Sequence, residues 1–229
     1  MEKDVKTSAI IVAAGRGTRM GGIDKLFIKV ADLPIIAHTV FKFEHCAKIN
    51  EIIIVIRQQQ EPVYAELLNK LNLKKPCKLT IGGQARQDSV WNGLNAASGK
   101  IVAIHDGARP CVPVSLIEKV IDVAIEYGAA VAAKKMIDTV KESDDGVHIS
   151  RNIDRNKLWT VQTPQCFKKD IISKAIQTAK SNNLELTDDT AACELIGQPV
   201  RLVEYLEPNP KLTVSSDLPY IEFLLKNQS

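Results

Sequence analysis

A chain of 229 residues that is 45% hydrophobic and 25% charged has room for a sizeable core and reads as a globular protein, not a disordered or fibrous one. Its 30 lysines and arginines against 27 acids leave a net charge of +3, too mild to point to nucleic acid, so any anionic ligand must be bound locally. The cysteines, five and widely spaced, argue against a disulfide framework or a zinc site, and no stretch approaches the roughly 18 apolar residues of a membrane span.

The apolar run at 8–12 predicts a strand, and residues 13–25 after it predict a loop with four glycines and the cations Arg16, Arg19 and Lys25. Residues 26–30 predict a second short strand. Pro34 opens a helix through Phe41, at a first-turn position where its missing N–H does no harm. Residues 51–56 are nearly all β-branched, which suits a strand covered on both faces of a parallel sheet. A helix at 60–71, strand at 78–81, helix at 86–97, strand at 101–105, helix at 115–127 and strand at 129–133 continue the alternation.

That alternation argues for an α/β fold, a Rossmann-like doubly wound and mainly parallel sheet, in which ligands bind outside the carboxyl ends of the strands. Three loops fall at such ends: 14–25, 82–86 and 106–110. A glycine-rich turn after a buried strand lets backbone N–H groups converge on an anion, because no Cβ blocks the approach.

Residues 134–160 break the pattern and read as polar and extended. Segments 138–141 and 147–150 alternate around Ser143-Asp144-Asp145-Gly146, as in a β-hairpin with a glycine turn. With few apolar residues of its own, an arm over 136–160 favours packing on a partner subunit. Helices at 169–181 and 187–195, a strand at 200–205, a loop at 208–211 and a helix capped by Ser216 and running to Leu225 complete the chain. Thr187 reads as an N-cap, with Asp188 and Asp189 in the first turn where the helix dipole favours carboxylates. The N-terminus carries no apolar signal core, so a single cytoplasmic domain over 1–229, with reduced thiols, is expected.

No Gly-x-Ser-x-Gly elbow, His-Glu-x-x-His pair or Gly-Lys-Ser phosphate loop is present, and hydrolase readings lose support. The cationic glycine loop, the second glycine loop with Arg86, and Asp106 beside Arg109 suit a nucleoside triphosphate and phosphoryl-type transfer, where positioning and charge neutralisation supply most of the catalysis.

Six motifs in series are Ala-Ala-Gly-x-Gly-x-Arg-Met (13–20) with Lys25, Gly-Gly-x-x-Arg-x-x-Ser-Val (82–90), His-Asp-Gly-Ala-Arg-Pro (105–110), Asp-Thr-Val-Lys (138–141), Arg-x-x-Leu-Trp-x-x-Gln-Thr-Pro-Gln (155–165) and Thr-Asp-Asp (187–189). Together they resemble the 2-C-methyl-D-erythritol 4-phosphate cytidylyltransferase family, over nearly the whole chain. The resemblance implies CTP and methylerythritol phosphate as substrates, pyrophosphate and CDP-methylerythritol as products, Mg²⁺ or another divalent cation, and a homodimer joined through the arm. It places Arg19 and Lys25 at the α-phosphate, Ala13, Ala14 and Gly15 around the nucleotide, and Gly83, Gln84 and Ser89 at the cytosine. It gives Asp106 and Arg109 to sugar hydroxyls and acceptor, with Asp106 also facing the metal. Thr139, Arg155, Thr163, Thr187 and Lys211 match the site for the acceptor phosphate, with Arg155 and Lys211 counted among the catalytic cations.

Asp24 stands where the family often has proline, Leu26 where glutamine is common, and Gln84 where some members have an acid. Asp24 either mutes Lys25 or faces water. Two other readings compete: a ribitol-5-phosphate cytidylyltransferase, which shares the nucleotide motifs, and an NAD(P)-dependent oxidoreductase built on Gly15-x-Gly17-x-x-x-Gly21. Against the second, the strand at 51–56 ends in Arg57, where a ribose-binding acid is usual.

Overall fold

The structure, a computed structural model, describes residues 5–15 and 24–227. Strand β1 (Thr7–Val12) is followed by the short strands β2 (Lys29–Val30) and β3 (Leu33–Pro34), helix α1 (Ile35–His45), β4 (Glu51–Ile56), α2 (Glu61–Leu71), β5 (Cys77–Ile81), α3 (Arg86–Ala96), β6 (Ile101–Asp106), α4 (Val114–Tyr127) and β7 (Ala129–Lys135). Then come β8 (Val140–Glu142) and β9 (Arg151–Ile153), β10 (Trp159–Lys168), α5 (Lys169–Ser181), α6 (Asp189–Glu194), β11 (Arg201–Glu204) and α7 (Leu218–Lys226).

Seven strands form one sheet in the order β11-β7-β10-β6-β1-β4-β5. It is parallel except for β10, which runs antiparallel to β6 and β7. The β-branched run of β4 explains its place: all six residues are buried, and alternate side chains enter different cores. Ile52, Ile54 and Ile56 pack with α1, α2 and α4, while Ile53 and Val55 pack with α3 and α5. Each such fully buried isoleucine stabilises the fold by about 1.5–3 kcal/mol. The chain moves from β1 outward to β4 and β5 and then returns to β6 on the other side, so the order reverses at β1 and opens a crevice at the carboxyl ends.

Three local expectations change, and one unassigned stretch gains an element. Residues 26–30 are not one strand: the Asp24 carboxylate accepts the Leu26 N–H at 3.1 Å and caps a tight turn at Lys25–Phe27, burying Leu26. The hairpin exists, but its second strand is β9, because the Asp145 carboxylate takes the N–H groups of Val147 and His148 at 2.9 and 2.8 Å and winds that stretch into the turn. Segment 162–165 belongs to the ten-residue β10, whose first four residues are partly or fully exposed and whose second half is buried. Helix α7 starts at Leu218, and Asp217 rather than Ser216 accepts the preceding N–H groups of Thr213 and Val214.

Candidate active site

The carboxyl ends of β1, β4, β5 and β6 surround a cavity of about 1160 Å³, and the described parts of all three sequence-predicted loops border it. Each loop is tied to the sheet where it leaves it. Ala13 N–H donates to Val55 at 2.8 Å, Gly82 N–H to Ile56 at 2.8 Å, and Gly107 N–H to Val12 at 2.9 Å. Ala13, Ala14 and Gly15 line the cavity. Gly83 also lines it, and a Cβ there would lie 2.2 Å from the Asp88 Cβ, so only glycine lets the loop turn against α3. Ser89 braces this loop, accepting the Gly83 N–H at 3.1 Å and donating to the Ala85 carbonyl at 3.2 Å. Gln84 borders the cavity and is exposed.

Lys25 lies on the capped turn at the cavity wall, and its Nζ donates to the Leu212 carbonyl at 2.7 Å. Asp24 beside it is engaged from the end of β4: Arg57 Nη2 donates to its Oδ2 at 2.9 Å, and Gln60 bonds the same oxygen. Its charge is therefore answered by Arg57, so Asp24 does not merely face water. Arg57 itself faces the cavity.

Asp106 gathers cations at the cavity. Lys211 Nζ stands 2.9 Å from its Oδ2 and Arg109 Nε 3.3 Å from the same atom. Burial alone would raise the pKa of this carboxyl, but Lys211, Arg86 and Arg109 outweigh it and hold the group well below the usual carboxylate range. Arg109 is anchored further by donating to the Asn209 carbonyl at 2.7 Å. Thr163 is buried beside Asp106, its hydroxyl accepting the Asp106 N–H at 3.1 Å and lying 3.0 Å from His105 Nδ1. Burial pushes the His105 imidazole down to about 4.

The Thr-Asp-Asp motif works differently from the sequence expectation. Asp188, not Thr187, caps α6, accepting the Ala191 N–H at 2.9 Å. Asp189 is buried and accepts both arms of Arg86 at 2.8 Å, joining α6 to the second glycine loop. Burial works against the charge on Arg86, and the two-pronged contact with Asp189 outweighs it, raising the Arg86 pKa. Thr187 itself is exposed.

Lys25, Lys211, Asp106, Arg109 and Thr163 are thus brought to one place. Thr139 and Arg155 are not: both are exposed near the arm, and Arg155 Nη1 donates to the Ile137 carbonyl at 2.5 Å. Arg19 and Arg16 lie outside the described residues. Sequence reading noted Arg86 only as the cation of the second glycine loop and gave no site position to Arg57, His105 or Asp189. A cation directly after a parallel strand was a usable signal for Arg57, whereas the pairing of Asp189 across 103 residues left none in the local sequence.

A sequence model of the 2-C-methyl-D-erythritol 4-phosphate cytidylyltransferase family matches residues 7–227. The chain belongs to this family. Among curated cytidylyltransferases of that name, the chain is 40% identical to the one from Geobacillus kaustophilus, covering 96% of this chain and 97% of the relative. It is also 40% identical to the one from Alkaliphilus oremlandii, covering 100% and 98%. The solved 4-diphosphocytidyl-2C-methyl-D-erythritol synthase of Anaerococcus prevotii superposes with a TM-score of 0.86 at 28% identity, covering 97% of this chain and 96% of the other. This cytidylyltransferase accordingly moves a cytidylyl group from CTP to 2-C-methyl-D-erythritol 4-phosphate in isoprenoid biosynthesis. The ribitol-5-phosphate and oxidoreductase readings give way to it. Among the described residues no helix is long and apolar enough to cross a membrane.

Proposed function

We propose that the cavity at the carboxyl ends holds CTP between the two glycine loops, and that Lys25 and Lys211 act where the phosphates of the two substrates meet. One observation carries this assignment: Lys25 and Lys211 both reach the cavity wall, Lys25 bonding the carbonyl of Leu212 while Lys211 reaches Asp106. A phosphate oxygen of methylerythritol phosphate attacks the α-phosphorus of CTP, the bond to the bridging oxygen breaks, and pyrophosphate leaves. The transition state gathers negative charge there, which fixed ammonium groups offset. Arg19 shares this work with Lys25. Ala13, Ala14 and Gly15 cradle the nucleotide, Gly83, Gln84 and the Ser89-braced loop read the cytosine, and Asp106 with Arg109 contacts the sugars.

Among the described residues no three carboxylate, histidine or cysteine groups gather as a metal cage. Mg²⁺ usually keeps waters and binds through one or two carboxylates and substrate phosphates, so the single ionised Asp106 facing the cavity fits it. When bound, the ion supplies charge neutralisation at the phosphates.

The arm over 136–160 completes the acceptor site of a second subunit in a homodimer, bringing Thr139 and Arg155 with Thr187 and Thr163 to the acceptor phosphate. In favour of this, Ile137, Val147 and Ile149 on the arm are 81%, 80% and 67% exposed. The enzyme works in the cytoplasm, a setting that suits five cysteines kept as thiols. Turnover of CTP with methylerythritol phosphate and with ribitol 5-phosphate, each with Mg²⁺ and with EDTA, tests the chemistry. Faster use of ribitol phosphate or full activity in EDTA would refute the corresponding assignment. Light scattering at monomer mass would remove the dimer.

A further inference from the structure

The proposed acceptor residues Asp106, Arg109 and Thr163 come from two strands and the loop between sheet and cavity, yet the side chain of one residue bonds the second and third, and that residue directly precedes the first in the chain. His105, on β6, is fully buried. Its Nε2 lies 3.1 Å from the Arg109 carbonyl oxygen and its Nδ1 3.0 Å from the Thr163 hydroxyl. These partners fix the direction of every proton. A carbonyl oxygen only accepts, so Nε2 carries the hydrogen and donates to Arg109. The Thr163 oxygen already accepts the Asp106 N–H at 3.1 Å, which leaves its own hydrogen to be donated to Nδ1. The chain of bonds runs from Asp106 N–H to Thr163 hydroxyl to His105 to Arg109 carbonyl, with every side chain in it buried. The ring is held in turn by Phe43, with centroids 4.9 Å apart.

We propose that His105 is a positioning residue for the acceptor: a neutral Nε2–H imidazole that sets the spacing between Asp106, Arg109 and the Thr163 hydroxyl without touching substrate. Two features make the hub effective. It bridges β6 and β10, which run antiparallel and are joined only through a long excursion of chain, so the register of Thr163 against Asp106 depends on bonds between the strands. It also fixes the peptide of Arg109, whose side chain is pinned at its other end by the Asn209 carbonyl, so the guanidinium has little freedom to drift from Asp106. Asn209 closes the circuit by donating its side-chain N–H to the Thr163 carbonyl at 2.8 Å.

The proposal rests on the reading of Asp106, Arg109 and Thr163 as acceptor contacts, and the experiment separates the two. The KM values for CTP and for methylerythritol phosphate are measured in the wild type, His105→Phe, His105→Gln, Thr163→Val and Arg109→Ala. Phenylalanine fills the space and removes both bonds, whereas glutamine can restore one. The expected result is an acceptor KM raised about tenfold in His105→Phe, the size of losing one or two neutral hydrogen bonds. The KM for CTP stays within about twofold. Glutamine rescues part of the loss, and Thr163→Val reproduces it. Nitrogen-15 shifts of the His105 ring report an Nε2–H tautomer, and Thr163→Val moves only the Nδ1 signal.

If Arg109→Ala raises the acceptor KM while His105→Phe does not, the acceptor reading survives and the positioning role falls. If no variant moves the acceptor KM, these residues leave the acceptor site and the proposal goes with them. An Nδ1–H tautomer would overturn it directly, even where the phenylalanine variant fails to fold.

Discussion

At the amino end of β4, Glu51 is 2% exposed, and its Oε1 accepts the Ser8 hydroxyl at 2.6 Å, the Ser98 hydroxyl at 2.5 Å and the Ser98 N–H at 2.7 Å. At the carboxyl end of β6, Asp106 is 9% exposed and meets Lys211 and Arg109, with Arg86 close by. Both carboxyls ionise more readily than usual, but for different reasons. Burial would raise Glu51, and neutral hydroxyls and one N–H bring it down from 4.5 to about 2, with the exposed Lys78 only 3.5 Å away. Asp106 is brought down by cations that outnumber it. A carboxylate satisfied by dipoles is a closed structural joint, whereas one anion among several cations leaves positive charge over for a ligand's phosphates.

The largest effect expected from this contrast is at the cavity. Lys25→Ala removes a charge used mainly in the transition state, so kcat should fall on the order of 10³-fold, about 4 kcal/mol, with a smaller rise in the KM for CTP. Turnover kinetics within tenfold of the wild type would take Lys25 out of the chemistry. Next comes the other end of the sheet. Glu51→Gln should leave kinetics untouched and lower unfolding stability by about 2 kcal/mol at neutral pH. The folded pKa is depressed, so this stability is present above 4.5 and disappears as pH falls through about 2. Urea unfolding of both proteins should therefore converge in strong acid; a gap independent of pH would assign the loss to packing.

A further contrast sets the parallel half of the sheet against the arm. Within one chain Lys25, Lys211 and Asp106 are already assembled, while Thr139 and Arg155 stand exposed. Arg155→Ala should raise the acceptor KM about tenfold and leave CTP alone, as for loss of one charge-assisted bond. Mixing it with Lys25→Ala subunits should restore activity in half-sites if arms act across a dimer. No recovery on mixing would confine the arm to its own subunit.

How far the sequence led follows the physics of each element. The sheet was legible because strands such as β4 carry an unbroken β-branched run, and the glycine loops because they follow such strands. Strand β10 was not, since its exposed half, Trp159 to Gln162, mixes polar and apolar residues and its buried half contains a proline. Lys25, Asp106 and Lys211 were reached through motif resemblance, and the cavity brings them together. Asp189 reads in sequence only as a first-turn carboxylate of a helix, because local sequence offers nothing that announces Arg86 as its partner. Long-range pairs of this kind belong to the fold, so propensity and spacing are silent about them.

The smallest effect probes the departure at Asp24. Asn keeps an oxygen to accept the Leu26 N–H, so Asp24→Asn preserves the capped turn while deleting the charge opposite Arg57. The pair is part-exposed, with side chains 34% and 23% accessible, so the change should cost under about 1 kcal/mol and lower kcat/KM for CTP only a few-fold. Arg57→Ala should do more harm, because it leaves an unpaired anion beside Lys25 where phosphates must enter. Adding Asp24→Asn to Arg57→Ala should then recover part of the loss, the coupling expected of a charge pair. A faster enzyme in the single Asp24→Asn variant would mean that the acid shields Lys25 even while bound to Arg57.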